Sequence, residues 1–313
     1  MDERGRTALR RVGICVPTLN AGADWAAWLA ATRQAANGYR LLVIDSMSDD
    51  ATATLAEAEG CEVRRIARGD FDHGGTRGWA LELLADCDIV IFVTQDALVA
   101  SPEAFTRLVA AFDDPSIGAA YGRQLPYDWA TPVAAHARLF NYPPHSHTMA
   151  AEDVTRYGIR AAFLSNSFTA YRREALIAAG GFPCGTILSE DMIAGARLLK
   201  NGWRLHYCAE AQVYHSHNYS LFQEFRRYFD IGVLHANEPW LLEMTGRAEG
   251  EGRRFVASEA RYLLHRAPWL LPMATVRNGL KYLGYSLGRH HQRLPKRCKP
   301  GLSMHAGYWR RNA

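Results

Sequence analysis

The sequence predicts an α/β fold in which a sheet is built from strands alternating with crossover helices, and three observations carry that expectation. Apolar runs ended by polar or acidic residues recur at residues 11–16, 41–45, 61–66 and 89–93. Between them lie segments with helical spacing, opened near Asp24, by Asp49 or Asp50, and in the glycine-rich stretch 68–78. The run I-V-I-F-V at 89–93 is wholly β-branched or aromatic, which suits a strand covered on both faces. Strand, helix, strand in this order is the pattern of a parallel sheet with crossover connections.

The first strand runs into P-T-L-N, which includes Pro17 and Thr18, before an Ala- and Trp-rich helix. The second, L-L-V-I-D, ends in Asp45, and S-M-S-D-D-A-T follows as a loop into a helix reaching about Glu59. After the third strand, R-G-D-F-D-H-G-G-T-R-G opens another helix, so its backbone amides and Arg77 are candidates to meet an anion at a helix amino terminus. The fourth strand ends in Thr94, Gln95 and Asp96. A carboxylate at the carboxyl end of a buried strand lies where open α/β sheets bind ligands; it either holds a hard cation or caps the next turn. A helix from Ser101 and a strand, I-G-A-A-Y, come next. Residues 122–158, rich in Pro, His and Tyr, read as irregular, partly mobile structure on one side of a cleft, with His145 and His147 as solvated loop histidines. Strand character returns at S-N-S-F-T-A-Y-R, and Ser189-Glu190-Asp191 opens a helix closed by a left-handed cap at Asn201-Gly202. Two strand-like pieces, W-R-L-H-Y-C and A-Q-V-Y-H, lead to H-S-H, which puts His215 and His217 on one face of an extended chain. From Leu221 the sequence is amphipathic helix.

Composition narrows the function. With 48% hydrophobic and 22% charged residues, the 313-residue chain is an ordinary globular one, long enough for a domain and an appendage. Its division is expected at residues 1–220, a catalytic domain, and 221–313, a basic helical extension. Six scattered cysteines with no C-x-x-C pair argue against zinc ribbons and a disulfide framework. The opening M-D-E-R-G-R-T-A-L-R-R has no signal core, and no eighteen apolar residues run together, so a cytoplasmic protein is expected. From Arg253 onward, thirteen Lys and Arg face one acid, Glu259. Such a tail, interleaved with Trp and Tyr, fits attachment to an anionic membrane surface at the inner face of the cell membrane; it also fits a helical cap packed on the domain. It has no nucleic-acid-binding motif, and no nucleic-acid partner is expected. The absence of G-x-G-x-x-G and of a P-loop weighs against nicotinamide and P-loop enzymes.

Taken together and in order, P-T-L-N, V-I-D-S-M-S-D-D-A-T, D-F-D-H-G-G-T-R, T-Q-D-A, G-G-F, S-E-D and V-Y-H resemble the inverting family 2 glycosyltransferases of GT-A fold, most closely the bacterial rhamnosyltransferases. The resemblance covers about residues 11–234. It implies a Rossmann-like mixed sheet, a nucleotide-sugar donor and a saccharide or lipid-linked saccharide acceptor in bacterial surface polysaccharide synthesis. By that resemblance Pro17, Thr18, Asp45, Ser46, His73, Arg77 and Gln95 line the donor nucleotide, Asp96 and His215 hold the metal, and Asp191, with Glu190 beside it, supplies the general base. The chain departs from the family pattern where Ser46 stands in place of a second acid and Thr94 in place of the first acid of D-x-D.

The chemistry asks for these parts. Departure of a nucleoside diphosphate builds negative charge that a divalent cation stabilises; oxygen ligands suit Mg2+ or Mn2+, and a histidine tilts the choice towards Mn2+. An acceptor hydroxyl must lose its proton, and one carboxylate base without an enzyme nucleophile implies a single displacement with inversion. The expected donor is dTDP-L-rhamnose. The alternatives are a UDP-hexose or UDP-N-acetylhexosamine, or a non-catalytic nucleotide-sugar-binding module.

Overall fold

A computed structural model describes residues 10–246 and 249–311. Residues 1–9, which carry most of the segment read above as lacking a signal core, lie outside the described residues, as do the final two positions of the basic tail.

A nine-stranded sheet forms the centre. Its strands are β1 (Val12–Thr18), β2 (Arg40–Asp45), β3 (Glu62–Arg65), β4 (Ile89–Val93), β5 (Leu98–Val99), β6 (Ile117–Leu125), β7 (His147–Met149), β8 (Phe168–Arg172) and β9 (Arg204–Tyr214). They lie in the order β3-β2-β1-β4-β8-β6-β9-β5, with β7 paired to β9. The first four strands are mutually parallel, as the alternation predicts. Beyond β4 the sheet is mixed, because β8 runs antiparallel to both β4 and β6. The two strand-like pieces expected before H-S-H are one strand, β9, whose register against β6 is broken between Gly122 and Arg123.

β4 is wholly buried. Ile89, Ile91 and Val93 face a core that includes Trp25, Trp28, Leu29 and Phe105, while Val90 and Phe92 face Leu81, Leu84, Leu176 and Leu198. The period-two alternation of a strand distributes one apolar run to two cores, so β4 sits between helices on both faces. Its end is fixed from both sides, and Asp96 emerges where that packing stops.

Residues 122–158 are more regular than expected. β6 continues to Leu125, and Pro132–Asn141 is a helix capped by Thr131, whose hydroxyl accepts from the Ala134 amide. Pro132 at the first turn starts this helix, since its missing N–H falls where no helical partner exists. His147 lies in β7 with its ring on Tyr207, so it is a half-buried strand residue and not a solvated loop histidine. His145 is exposed, as expected.

The carboxyl-terminal helices pack on the domain. Ser220 and Gln223 form a capping box that opens the Leu221–Asn237 helix directly after H-S-H. The Leu271–Arg289 helix lies against it at backbone contact: a Cβ on Gly284 would sit 2.4 Å from the Phe225 carbonyl oxygen, and one on Gly288 2.0 Å from that of Phe229. Phe229, Val233 and Leu234 share a core with Ile187 and Ile193 of the region before residue 220, joined by Leu302 and Trp309. No helix of the described residues is long and apolar enough to cross a membrane.

Candidate active site

Two clusters of polar side chains, each centred on an aspartate, are linked by hydrogen bonds through Gln124 and Ser165. The first is centred on Asp96. Its Oδ2 stands 3.4 Å from His215 Nε2 and 3.5 Å from His217 Nε2. The three potential ligand atoms lie within 4.8 Å of one another. β9 delivers both histidines from one face of extended chain, as their spacing predicts. His215 is buried, and its Nδ1 is 2.8 Å from Gln124 Oε1, which turns Nε2 towards Asp96. Partial burial opposes the charge on Asp96, but hydrogen bonding and the field of His215 outweigh it and hold the carboxyl well below its ordinary range. Burial, then the neighbouring His215, lowers His217 to about 4, which leaves it a neutral imidazole. One carboxylate and two imidazoles form a donor set that fits a divalent metal ion.

Beside this cluster, the donor-side candidates meet at the ends of β1, β2 and β4. Thr18 Oγ1 donates to Asp45 Oδ1 at 3.0 Å, and the Ser46 amide donates to the Thr18 carbonyl at 2.8 Å. Asp45 is buried and also accepts from the Ser48 amide and hydroxyl, so its carboxylate shapes the loop after β2. Gln95 pairs through both ends of its amide with the Leu19 backbone and so fastens the chain leaving β1 to the end of β4. Tyr127, which the sequence reading passed over, hydrogen-bonds the Asp96 carbonyl and stacks on the exposed Trp129.

The second cluster is centred on Asp191, itself partly buried, with Glu190 and Arg77 buried beside it. The Glu190–Lys200 helix opens as the sequence predicts, with Ser189 in the left-handed region at φ 59°. Asp191 accepts from the Asn166 amide at 2.9 Å. Asn166 Nδ2 donates to Glu190 Oε1 at 3.0 Å, and its own Oδ1 accepts from Tyr171. Arg77 forms a 2.9 Å ion pair with Glu190, both side chains nearly sealed from solvent. Burial raises the Glu190 carboxyl, but the fields of Arg77 and His73 and the Asn166 bond bring it below its ordinary value. Asp191 goes the other way: burial, then the Glu190 charge beside it, pushes it up to about 7.

The H-G-G-T-R stretch is put to a different use from the anion cradle expected of it. Asp72 caps the His73–Leu83 helix by accepting from the Gly75 amide at 2.8 Å, and it also accepts from the Gly185 amide. A Cβ on Gly74 would lie 1.8 Å from the Pro183 carbonyl oxygen, so this glycine is required for close approach of the G-G-F-P loop. The Gly75 amide is thus taken by Asp72, and Arg77, with His73 beside it, is drawn to Glu190 of the Asp191 cluster.

Gln124 and Ser165 connect the two clusters. Gln124 Nε2 donates to Ser165 Oγ at 2.9 Å, and Ser165 precedes Asn166. Gln124 also accepts from Arg138. The two clusters are thus linked through two adjacent residues, Ser165 and Asn166, just before β8. Neither Gln124 nor Asn166 was a candidate from the sequence, which offers only lone amides with no spacing signal.

Residues 10–229 match the profile of the family described as glycosyltransferase like family 2. The chain is 45% identical over 301 residues to the O-antigen chain rhamnosyltransferase RfbN of Salmonella typhimurium, a match covering 96% of each protein. It is 45% identical over 298 residues to the O-antigen chain rhamnosyltransferase WbaN of Salmonella anatum, covering 95% of each. Among solved structures, a mannosyltransferase of Pyrobaculum calidifontis in complex with GDP-Man and Mn2+ superposes with TM-score 0.57 at 19% identity, over 96% of this chain and 86% of that one. The S. aureus protein TarS, residues 1–349, does so with TM-score 0.55 at 14% identity, over 90% and 91%.

Proposed function

Because this chain belongs to the family 2 glycosyltransferases, we propose that it transfers L-rhamnose from dTDP-L-rhamnose to a saccharide acceptor by a single displacement with inversion. The observation that carries the choice of sugar is the near-full-length identity to two proteins named as O-antigen chain rhamnosyltransferases. The geometry supports the reaction class independently.

In this reading the loops after β1 and β2, with Pro17, Thr18, Asp45, Ser46 and Gln95, receive the nucleotide. Asp96, His215 and His217 hold a divalent ion, Mn2+ in preference to Mg2+, which when bound neutralises charge on the departing diphosphate. Asp191 takes the proton of the acceptor hydroxyl. A carboxyl raised to about 7 suits that task, since a base works best with a pKa near the working pH. Glu190 is the ionised neighbour that raises it. His73 and Arg77, expected at the nucleotide, hold Glu190 in this reading. A lipid-linked acceptor presented at the inner face of the cell membrane gives the basic tail a purpose.

The test is a donor screen with purified protein, Mn2+ and a deacylated saccharide acceptor, scored for released nucleoside diphosphate. Release from dTDP-L-rhamnose and not from UDP-hexoses or UDP-N-acetylhexosamines is expected. Asp96→Asn should abolish it while leaving the fold intact. Preference for a uridine-linked donor would replace the sugar assignment, and binding without turnover of any donor would leave a non-catalytic module.

A further inference from the structure

The Leu271–Arg289 helix turns one face to the domain and leaves an adjoining stripe apolar and uncovered. Its inward face carries Ala274, Lys281, Gly284 and Gly288, all buried. Roughly a quarter-turn round the helix from that face, Met273, Val276 and Leu283 are each about half exposed, with Leu280 completing the three- and four-residue spacing. Trp269, in the turn that leads into this helix, is 73% exposed, and Tyr282 is 74% exposed. A water-facing helix of a globular domain would place polar residues at these positions. A contiguous apolar stripe of this kind marks a surface that something else covers.

The charge around the stripe identifies the occupant. Arg261 and Arg266 are exposed on the preceding helix, and Arg289 and Arg293 are exposed at the far end. From Arg253 to Arg311 the sole acid is Glu259, which is buried. Arg261 and Arg266 also line a cavity of about 390 Å3, together with His136, Phe140, Tyr262 and His265. His136 is 2% exposed, and its Nδ1 has no hydrogen-bond partner among the described residues. An apolar stripe with Trp269 in the turn before it, on a cationic segment with no exposed acid between Arg253 and Arg311, is complementary to the surface of an anionic bilayer. A second copy of the chain would bring like charges together on this face.

We propose that the outward face of the Leu271–Arg289 helix, with Trp269 and the Arg261–Arg266 cavity, docks the protein on an anionic membrane. The apolar stripe enters the headgroup region, and Arg261 and Arg266 meet a lipid phosphate. This narrows the tail's role from a diffuse basic segment to one surface, and it rests on the reading above only in placing the acceptor at a membrane.

The test uses the full chain and sedimentation with vesicles of phosphatidylcholine alone or mixed with phosphatidylglycerol. Binding to the mixed vesicles alone, weakened by salt, is expected. Arg261→Gln with Arg266→Gln should weaken it about thirtyfold and flatten its salt dependence. Trp269→Ser with Val276→Ser should weaken it at every salt concentration. Both double variants should keep the wild-type melting temperature and wild-type nucleoside diphosphate release with a deacylated acceptor. Equal behaviour of wild type towards the two vesicle types, or undiminished binding by both variants, would overturn the proposal. So would wild-type dimers that the Trp269 variant abolishes, since the face would then join copies of the chain. Failure of the donor screen leaves the vesicle result readable, because no vesicle measurement depends on turnover.

Discussion

Asp96 and Asp191 are the same side chain in two opposed environments. Asp96 is half exposed at the end of β4, and two imidazoles hold it ionised. Asp191 is partly buried beside a second carboxylate, and burial with that neighbour's charge raises it to about 7. The difference teaches that the fold assigns roles by surroundings: a carboxyl kept charged suits holding a cation, while one near neutrality suits exchanging a proton. Arg77 is what makes the second environment possible. It compensates Glu190, so that the pair of adjacent acids carries one firm charge and one adjustable proton.

Breaking this contrast should cost most at the base. Asp191→Asn should lower turnover by roughly a hundredfold to ten-thousandfold while nucleotide binding, measured by calorimetry, persists. A variant with near-normal turnover would remove Asp191 from the chemistry. Removing the compensating cation is the next largest change: Arg77→Met leaves Glu190 buried and unpaired and should destabilise the fold by about 3–5 kcal/mol, read from denaturant melts. On the Asp96 side, Gln124→Leu frees His215 to turn and should weaken Mn2+ binding about 10- to 100-fold, measured by electron paramagnetic resonance titration without substrate. The smallest effect sharpens the contrast. Asp191 must be ionised to accept a proton, so kcat/KM should rise with pH through about 7; Glu190→Gln removes the neighbouring negative charge, and the inflection should fall by about one pH unit. An unmoved inflection would mean that Glu190 does not set it.

The two clusters differ also in how far the sequence revealed them. Asp96 could be found because β4 is an uninterrupted apolar run and the residue lies at its end, and the two histidines because alternate positions of a strand share a face. The S-E-D helix start could be read from its acids, but its ion pair could not. H-G-G-T-R carries the same letters whether its glycines cradle an anion or let Pro183 approach; only the 1.8 Å position of an imagined Cβ separates those uses. Asn166 and Gln124 were hidden because a single amide has no period or spacing, and its partners lie 24 and 41 residues away. In the fold, the parallel half followed from strand-helix alternation. The reversal of β8 did not, because strand direction is set by long-range pairing that no local pattern encodes. The Pro132–Asn141 helix was masked by the Pro and His around it, although Thr131-Pro132 is a helix-start signal.

The packing of the tail against the His73 loop has a consequence for how the molecule is assembled. Arg311 donates to the Phe71 carbonyl across 240 positions of chain, and His305 lies edge-on to His73 beside the Glu190 cluster. Contacts so distant in sequence raise contact order and slow folding more than they weaken the folded state, since the entropy of closing a loop grows only with the logarithm of its length. During synthesis from the amino terminus, the sheet and Asp96 can form early. The contact that ties the tail to the loop before His73 then waits until residue 311 has left the ribosome.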